Sequence, residues 1–373
     1  MVKTIEEYEN DGNAAEKALI AACREGWACI LNGGKLPDEG AKDAPKVRAD
    51  LIRLLAVEAT SLHEKGVWLE GGVITGQLDL SFAKCRGRLA LGSCRFISTP
   101  MLAQTELVQL SFVGSHLPGV FAQGLRVSGD VFMRAMRATK TVNLNEAKVG
   151  GQLSCVGAHL DSAKGNALSA QGAKIAGSVV MRSITANGTV AFNSAQVGGQ
   201  LSFKGATLNG PDGVALNAQG SRVRGGVFLD DTTTVGTVSV SGARIGGQLS
   251  LSQATLDGGA RDAMNFQTLI VEGGLLFRKL KAVSGRVNLE SARVRDLVDD
   301  GESWKRCSRL ILDGFIYEQI GGNTSAKTFS DRQAWLRKGS YFGGEFRPQP
   351  YTQFAKVMRA AGHLAEARKV SMK

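Results

Sequence analysis

The sequence predicts a mainly β chain, a right-handed parallel β-helix of about ten turns with helical segments at both ends. Three observations predict it: a repeat of constant length, apolar residues at strand spacing, and 47 glycines beside an aromatic content of only 6%. Stacked turns with tight corners suit such a composition better than an irregular core does. The expected organisation is a helical cap over residues 1–70, the β-helix over 71–322 and a helical segment over 323–373.

The repeat is visible in three segments that align without gaps. They are VGGQLSCVGAHL from Val149, VGGQLSFKGATL from Val197 and IGGQLSLSQATL from Ile245, and their starts are 48 residues apart. Such fixed self-similarity is the signature of a repeat architecture. Each unit of 48 divides into pieces of 26 and 22 residues, and the shorter piece divides into two units of 11. We therefore predict a turn of 22 residues and a repeat of two turns that spans 48 residues.

The apolar residues within one 11-residue unit identify strands. After Val197 they are Leu201, Phe203, Ala206 and Leu208, at offsets of 4, 6, 9 and 11. Pairs two residues apart share one face of a strand, whereas a helix would need steps of three and four. Glycines between the pairs supply the corners. The right hand follows from the usual hand of parallel crossovers.

The longer turns carry four additional residues each. These fall near DSAKG at 161–165, NGPDG at 209–213 and DGGAR at 257–261, again 48 residues apart. All three segments are rich in turn-forming residues. We therefore expect a row of loops along one edge, with one loop for every two turns.

Both ends of the chain show helical patterns. Residues 13–31 and 44–65 are predicted helices, and in the second of these Val47, Leu51, Leu54 and Leu55 follow helical spacing. Helices here would cover the open edge of the first turn. Near the C-terminus Pro350 begins a helix, Gly362 ends it, and a second helix begins near Leu364. From the abrupt end at Lys373 we expect that the natural chain continues, with a membrane segment as one form of that continuation.

The blocks VRADLIRLL, HEKGVWLEGGVITGQLDLS, VGGQLS and QPYTQFAKVMRAAGHLAEARKV resemble a group of bacterial β-helical proteins that often carry the label "membrane-associated oxidoreductase". The resemblance covers most of the chain and implies a β-helix beside a membrane. The architecture is also similar to that of pentapeptide-repeat proteins and bactofilins, but its 11-residue half-turn differs from both. No residues in this sequence support the redox chemistry of the label.

Motifs of catalysis and cofactor binding are absent from the sequence. It contains no GxGxxG after a strand, no GxxxxGK[ST], no HExxH and no GxSxG. The four histidines lie on different elements, and His159 aligns with threonines in the other repeats, which indicates a structural position. Asp230 and Asp231 are adjacent acids that suit a turn. The sequence therefore favours a protein that is not an enzyme and predicts no cofactor and no metal site, and it identifies no small-molecule substrate.

The N-terminal segment and the cysteines indicate a cellular compartment. The first residues are acidic and lack the apolar stretch of a signal peptide. The six cysteines show no CxxC and no evident disulfide framework. No segment approaches the roughly 20 apolar residues of a membrane span. The expected location is the cytoplasm, with a peripheral position at the inner membrane as one form of it.

The strongest functional signal is a column of basic residues. The residue before one corner hydrophobe in successive turns is usually Lys or Arg, and in our alignment the column contains Lys84, Glu106, Arg126, Lys148, Lys174, Gln196, Arg222, Arg244, Leu269 and Arg293. Its seven basic members are the predicted binding residues. Basic residues also cluster near the last turns, between Arg278 and Arg309. The alternative is a polar edge whose charge prevents sideways strand pairing.

The net charge of +11 predicts an anionic partner. We expect a non-enzymatic scaffold whose basic edge engages an anionic membrane surface or a membrane-associated protein, as a bacterial signalling or phage-defence component would. Nucleic acid ranks lower, because its binding normally adds aromatic stacking platforms. Two alternatives stay open: a filament-forming structural β-helix, and an enzyme with a site beside the row of loops.

Overall fold

The computed structural model describes residues 3–58 and 62–371. The chain is a parallel β-solenoid of about 11 turns with a spacing of about 22 residues, with helices at its N- and C-terminal ends. It divides into two compact units, Met1–Asn187 and Gly188–Lys373, called here the first and second units. The predicted fold class is confirmed.

The first unit begins with three helices, α1 (Ile5–Asp11), α2 (Ala14–Glu25) and α3 (Ala49–Arg53), the last continuing as one π-helical turn over Leu54–Glu58. Its strands are Cys29–Ile30, Lys46–Arg48, Gly66–Glu70, Val73–Thr75, Arg88–Gly92, Arg95–Phe96, Glu106–Leu107, Gln109–Ser111, His116–Leu117, Val120–Phe121, Arg126–Val127, Val131–Phe132, Arg137–Ala138, Val142–Asn143, Lys148–Val149, Leu153–Ser154, His159–Ser169, Lys174–Ile175 and Val179–Val180. The boundary between the units falls within the strand Thr185–Ala191.

The second unit contains the strands Gln196–Val197, Leu201–Ser202, Thr207–Asn217, Arg222–Val223, Val227–Phe228, Thr233–Ser239, Arg244–Ile245, Leu249–Ser250, Thr255–Asn265, Ile270–Phe277, Ala282–Asn288, Arg293–Asp299, Arg309–Ile311 and Ile316–Gly321. An antiparallel pair, Tyr341–Phe342 and Glu345–Phe346, follows later in the chain. Its helices are α4 (Gly301–Arg306), α5 (Phe329–Gly339), α6 (Gln349–Ala360) and α7 (Leu364–Ser371). Apart from the late antiparallel pair, the strand pairs of the second unit are parallel.

The strand register reproduces the 22- and 26-residue spacings. In the first unit Val127 pairs with Val149, and Val149 pairs with Ile175. In the second unit Leu201 pairs with Val227, which pairs with Leu249. These residues point inward and are almost completely buried. Full burial of such a side chain contributes about 1.5–3 kcal/mol, so the stacked apolar columns are the main stabilising feature of the solenoid.

The solenoid begins earlier than residue 71. Strands Cys29–Ile30 and Gly66–Glu70 pair in parallel, and Gly66–Glu70 pairs with Arg88–Gly92. The predicted helix over 13–31 ends at Glu25, where Gly26 adopts a left-handed conformation. The predicted helix over 44–65 is also shorter, since Lys46–Arg48 is a strand; residues 59–61 of it lie outside the described part. The strands Cys29–Ile30 and Lys46–Arg48 were not predicted, because strands of two or three residues between helices carry no recognisable repeat.

The four additional residues of the long turns do not form separate loops. In the second unit they lie within the strands Thr207–Asn217 and Thr255–Asn265, as bulges where the register shifts between Asn209 and Val214 and between Asp257 and Asp262. In the first unit residues 161–165 lie within the strand His159–Ser169. The expected row of loops is therefore wrong in form, because the backbone continues the strand on both sides of each insertion.

Helices cover the first strands and the last strands. α2 packs against Cys29–Ile30, Lys46–Arg48 and Gly66–Glu70. At the other end, Gln353 of α6 donates to the Tyr317 carbonyl at 2.6 Å, and the Leu312 amide donates to the Gly339 carbonyl at the end of α5. α6 begins at Gln349, one residue before the predicted start at Pro350, and α7 begins at Leu364 as predicted. Covered terminal strands oppose end-to-end association, which the filament alternative requires.

The N-terminal cap depends on a buried carboxylate. Glu16 of α2 is 1% exposed and accepts from Arg48 Nε at 2.7 Å and Nη2 at 2.8 Å. Burial alone would raise the pKa of the Glu16 carboxyl, but hydrogen bonds from the Arg48 side chain and from the Arg48 and Asn13 amides together lower it.

This pair predicts a pH dependence. A lowered folded-state pKa contributes stability that is present above the unfolded value of about 4.3 and is lost as the pH falls through the folded value. Glu16→Gln should therefore destabilise the protein at neutral pH by about 1–3 kcal/mol, and by less at lower pH. Urea unfolding of the parent protein and of Glu16→Gln, from neutral pH downward, measures the difference in stability. A loss of stability that does not change with pH would contradict the assignment.

Candidate functional site

The predicted basic column exists in the first unit. Lys84 forms a bridge with Glu106, Glu106 pairs with Arg126, Arg126 with Lys148, and Lys148 with Lys174. The four basic side chains are exposed. Partner residues in neighbouring parallel strands lie about 4.8 Å apart. We call Lys84, Arg126, Lys148 and Lys174 the first basic column.

A recurring corner places each cation. At Lys148, the Asn143 side chain accepts from the Asn145 amide at 3.0 Å, Glu146 takes a left-handed φ of 59°, and Ala147 is buried. The next residue, Lys148, begins a strand and points outward, and Val149 points inward. Asparagine favours such a side-chain-capped turn. The column is therefore the first outward position after each corner.

Most of the first basic column lacks a counter-charge. Arg126 donates to Glu106 at 3.0 Å, with both side chains about half exposed. Within the described part of the chain, Lys84, Lys148 and Lys174 form no ion pair with an acidic side chain. Like charges at this spacing repel by on the order of 1 kcal/mol per pair, even at the dielectric constant of water. An anion bound over the column would remove that repulsion.

A groove of about 550 Å³ runs beside this column. Lys84, Arg126 and Lys148 line it together with Glu106 and the exposed apolar residue Val108. The full lining consists of Lys84, Cys85, Glu106, Leu107, Val108, Arg126, Val127, Ser128, Lys148, Val149 and Gly150. The groove thus combines cations with an apolar surface.

Two hydrophobic side chains near the groove are exposed to solvent. Val108 lines it and is 52% exposed. Phe82 lies two residues before Lys84, at the left-handed position of the corner, and is 81% exposed. The sequence analysis missed both, because neither lies in the basic column. The sequence did offer a signal for Phe82, because most other turns place a polar residue or glycine at the equivalent corner position.

The second unit carries a shorter column. Gln196 pairs with Arg222, Arg222 with Arg244, Arg244 with Ile270, and Ile270 with Arg293. We call Arg222, Arg244 and Arg293 the second basic column, and all three side chains are exposed. The assignment of Leu269 is wrong: it is completely buried, and Ile270 occupies the outward position. A shift of one residue along a strand reverses the face.

The basic cluster near the last turns differs from both columns, because many of its charges are paired. Lys281 lies 3.3 Å from Asp231, Arg295 3.1 Å from Asp296, and Lys305 2.7 Å from Glu302. Asp230 and Asp231 both lie in a turn, as predicted. A larger fraction of the cluster's charges is therefore paired with acidic side chains than in either column.

Groups able to perform catalysis are scarce among the described residues. All six cysteines are free and buried, and burial raises the pKa of Cys155 to about 12 and that of Cys85 to about 11. Such thiols are poor nucleophiles. In the described ranges, 3–58 and 62–371, no group of three His, Cys, Asp or Glu residues is arranged to hold a metal ion. His159 begins a strand, as Thr207 and Thr255 do in the equivalent turns.

The fold and the two columns define a class: a parallel β-solenoid with stacked cations at a corner within each unit. Comparison of the chain with protein-family models, with curated proteins and with solved structures found no match. Across the described helices, none is both long and apolar enough to span a bilayer.

Proposed function

We propose that this protein is a non-enzymatic scaffold that docks on an anionic membrane surface through its basic columns. The observation that carries the proposal is the first basic column, whose exposed cations stack at strand spacing with a single acidic neighbour, Glu106, in the column. Lipid headgroups present phosphates in a plane, and a linear array of cations can contact several at once. Each near-surface Lys or Arg contributes on the order of 1 kcal/mol to such binding.

The exposed hydrophobic residues favour a membrane over nucleic acid. Val108 lines the groove with the cations, and the exposed Phe82 lies two residues before Lys84 in the chain. Exposed apolar residues together with cations are the combination used by proteins that rest in the headgroup region. Binding of single-stranded nucleic acid normally needs several aromatic side chains on which bases stack. The groove lining contains no aromatic residue. The resemblance to β-helical proteins labelled "membrane-associated oxidoreductase" supports the same placement.

Vesicle co-sedimentation tests the proposal. We expect binding to vesicles of phosphatidylcholine with phosphatidylglycerol, no binding to phosphatidylcholine alone, and loss of binding when salt rises from about 0.1 M to about 1 M, where charge is strongly screened. The triple variant Arg126→Glu, Lys148→Glu and Lys174→Glu should bind at least about 100-fold more weakly, since it removes three contributions and adds repulsion.

A charge-matched control separates the column from net charge. Lys140→Glu, Lys164→Glu and Arg182→Glu change the charge equally, at exposed positions of the same unit outside the column. This control should keep most of the binding. If both triple variants bind equally, net charge alone acts; if neither they nor the parent protein bind anionic vesicles, the membrane proposal is wrong and a protein partner becomes the candidate.

A further inference from the structure

A second concave site lies in the second unit, between the two strand bulges. The guanidinium of Arg261, in one bulge, donates from Nη1 to the Asp212 carbonyl of the other bulge at 2.7 Å. Gly213 adjoins that carbonyl with a φ of 94°, and a Cβ there would lie 1.5 Å from Arg261 Nη1. The glycine therefore leaves the space that the guanidinium occupies.

Two more arginines reach this site through the strand register. Asp262 pairs with Arg286, which pairs with Arg309. Arg286 donates to both oxygens of Asp262, at 2.5 and 3.2 Å. Arg309 Nη2 donates to the Ala260 carbonyl at 2.8 Å. Three guanidinium groups therefore line one cavity, and one of them is paired with a carboxylate.

The free hydrogen-bonding capacity belongs to Arg261 and Arg309. Each guanidinium has five N–H donors, and the bonds above use one from each of these two side chains. Both side chains are exposed, and among the described residues neither forms an ion pair with an acidic side chain. Their carbonyl contacts hold each guanidinium in place while other donors stay available.

The arginines border a cavity of about 410 Å³, a size that suits a small molecule. The other polar side chains in its lining are amides and hydroxyls: Gln219, Thr237, Ser239 and Asn265. Guanidinium groups match phosphate oxygens in geometry and charge, whereas amides and hydroxyls match sugar hydroxyls.

We propose that this cavity binds a small phosphorylated polyol, with the phosphate on Arg261 and Arg309 and the hydroxyls on the amide and hydroxyl side chains. The site is separate from the second basic column, whose residues do not line the cavity. The proposal is therefore independent of membrane docking.

Isothermal titration calorimetry with three probes tests the site: glucose 6-phosphate, glucose and inorganic phosphate. We expect glucose 6-phosphate to bind more tightly than inorganic phosphate, and glucose not to bind. Arg261→Gln and Arg309→Gln should each weaken the affinity for glucose 6-phosphate about tenfold or more. Both side chains are exposed, and circular dichroism verifies that each variant is folded.

The matched control is Arg224→Gln, an exposed arginine of the same unit outside the cavity, which should bind as the parent protein does. Equal binding of inorganic phosphate and glucose 6-phosphate would overturn the polyol assignment. Failure of both phosphate probes to bind at millimolar concentration, or binding that neither Arg261→Gln nor Arg309→Gln weakens, would overturn the site.

Discussion

Replacement of Arg332 by alanine should lower the free energy of unfolding by about 3–5 kcal/mol, because it leaves a buried carboxylate without its partner. Arg332 of α5 is 2% exposed and Asp299 is completely buried. The guanidinium donates to the two Asp299 oxygens at 2.5 and 2.8 Å. Trp304 Nε1 donates to the same carboxylate at 2.5 Å.

Urea unfolding followed by tryptophan fluorescence measures this loss, since Trp304 and Trp335 both lie close to the pair. Lys305→Ala is the control: both side chains of its ion pair with Glu302 are 74% exposed, so the free energy of unfolding should not change measurably. The double variant Asp299→Asn with Arg332→Met should be less destabilised than the two single changes predict together, because no charge is then left unpaired. Additive losses would show that the buried charge is not the cause.

The pair also shows what the sequence could not reveal. Asp299 ends a strand of the solenoid, whereas Arg332 lies in α5, outside the repeat. The repeat predicts contacts between equivalent positions of successive turns. It does not predict the contacts of a helix that packs on the last turn. α4 was not predicted for the same reason, and α5 was predicted only as part of the helical segment over 323–373.

Within the repeat, the sequence predicted the stacking of equivalent positions, and its errors have physical causes. The columns were predicted because equal spacing implies stacking, and the register confirms them within each unit. Leu269 was misassigned because it occupies the buried position that Ala243 and Ala292 take in neighbouring turns, which concealed the corner. The arginine cavity was missed because a bulge changes which residues become neighbours.

A large backbone effect should come from Gly66→Ala, which we expect to destabilise the protein by about 2–5 kcal/mol, the sum of a left-handed penalty and a steric clash. Gly66 begins a strand with a φ of 79°, and a Cβ there would lie 2.3 Å from the Arg88 carbonyl oxygen and 2.5 Å from that of Arg86. Backbone atoms of the next turn cannot move aside without disturbing the pairing of Gly66–Glu70 with Arg88–Gly92.

Gly157→Ala separates the two contributions. Gly157 lies in the same unit with a φ of 66°, but a Cβ there would meet nothing within 4 Å. This variant should therefore show the left-handed penalty alone, about 1–2 kcal/mol. Thermal unfolding of both variants gives the loss of stability that each causes. The difference between the two losses measures how tightly successive turns are stacked. Equal losses would mean that the first turns can separate to accept a methyl group, and that conformational freedom rather than close approach requires glycine at position 66.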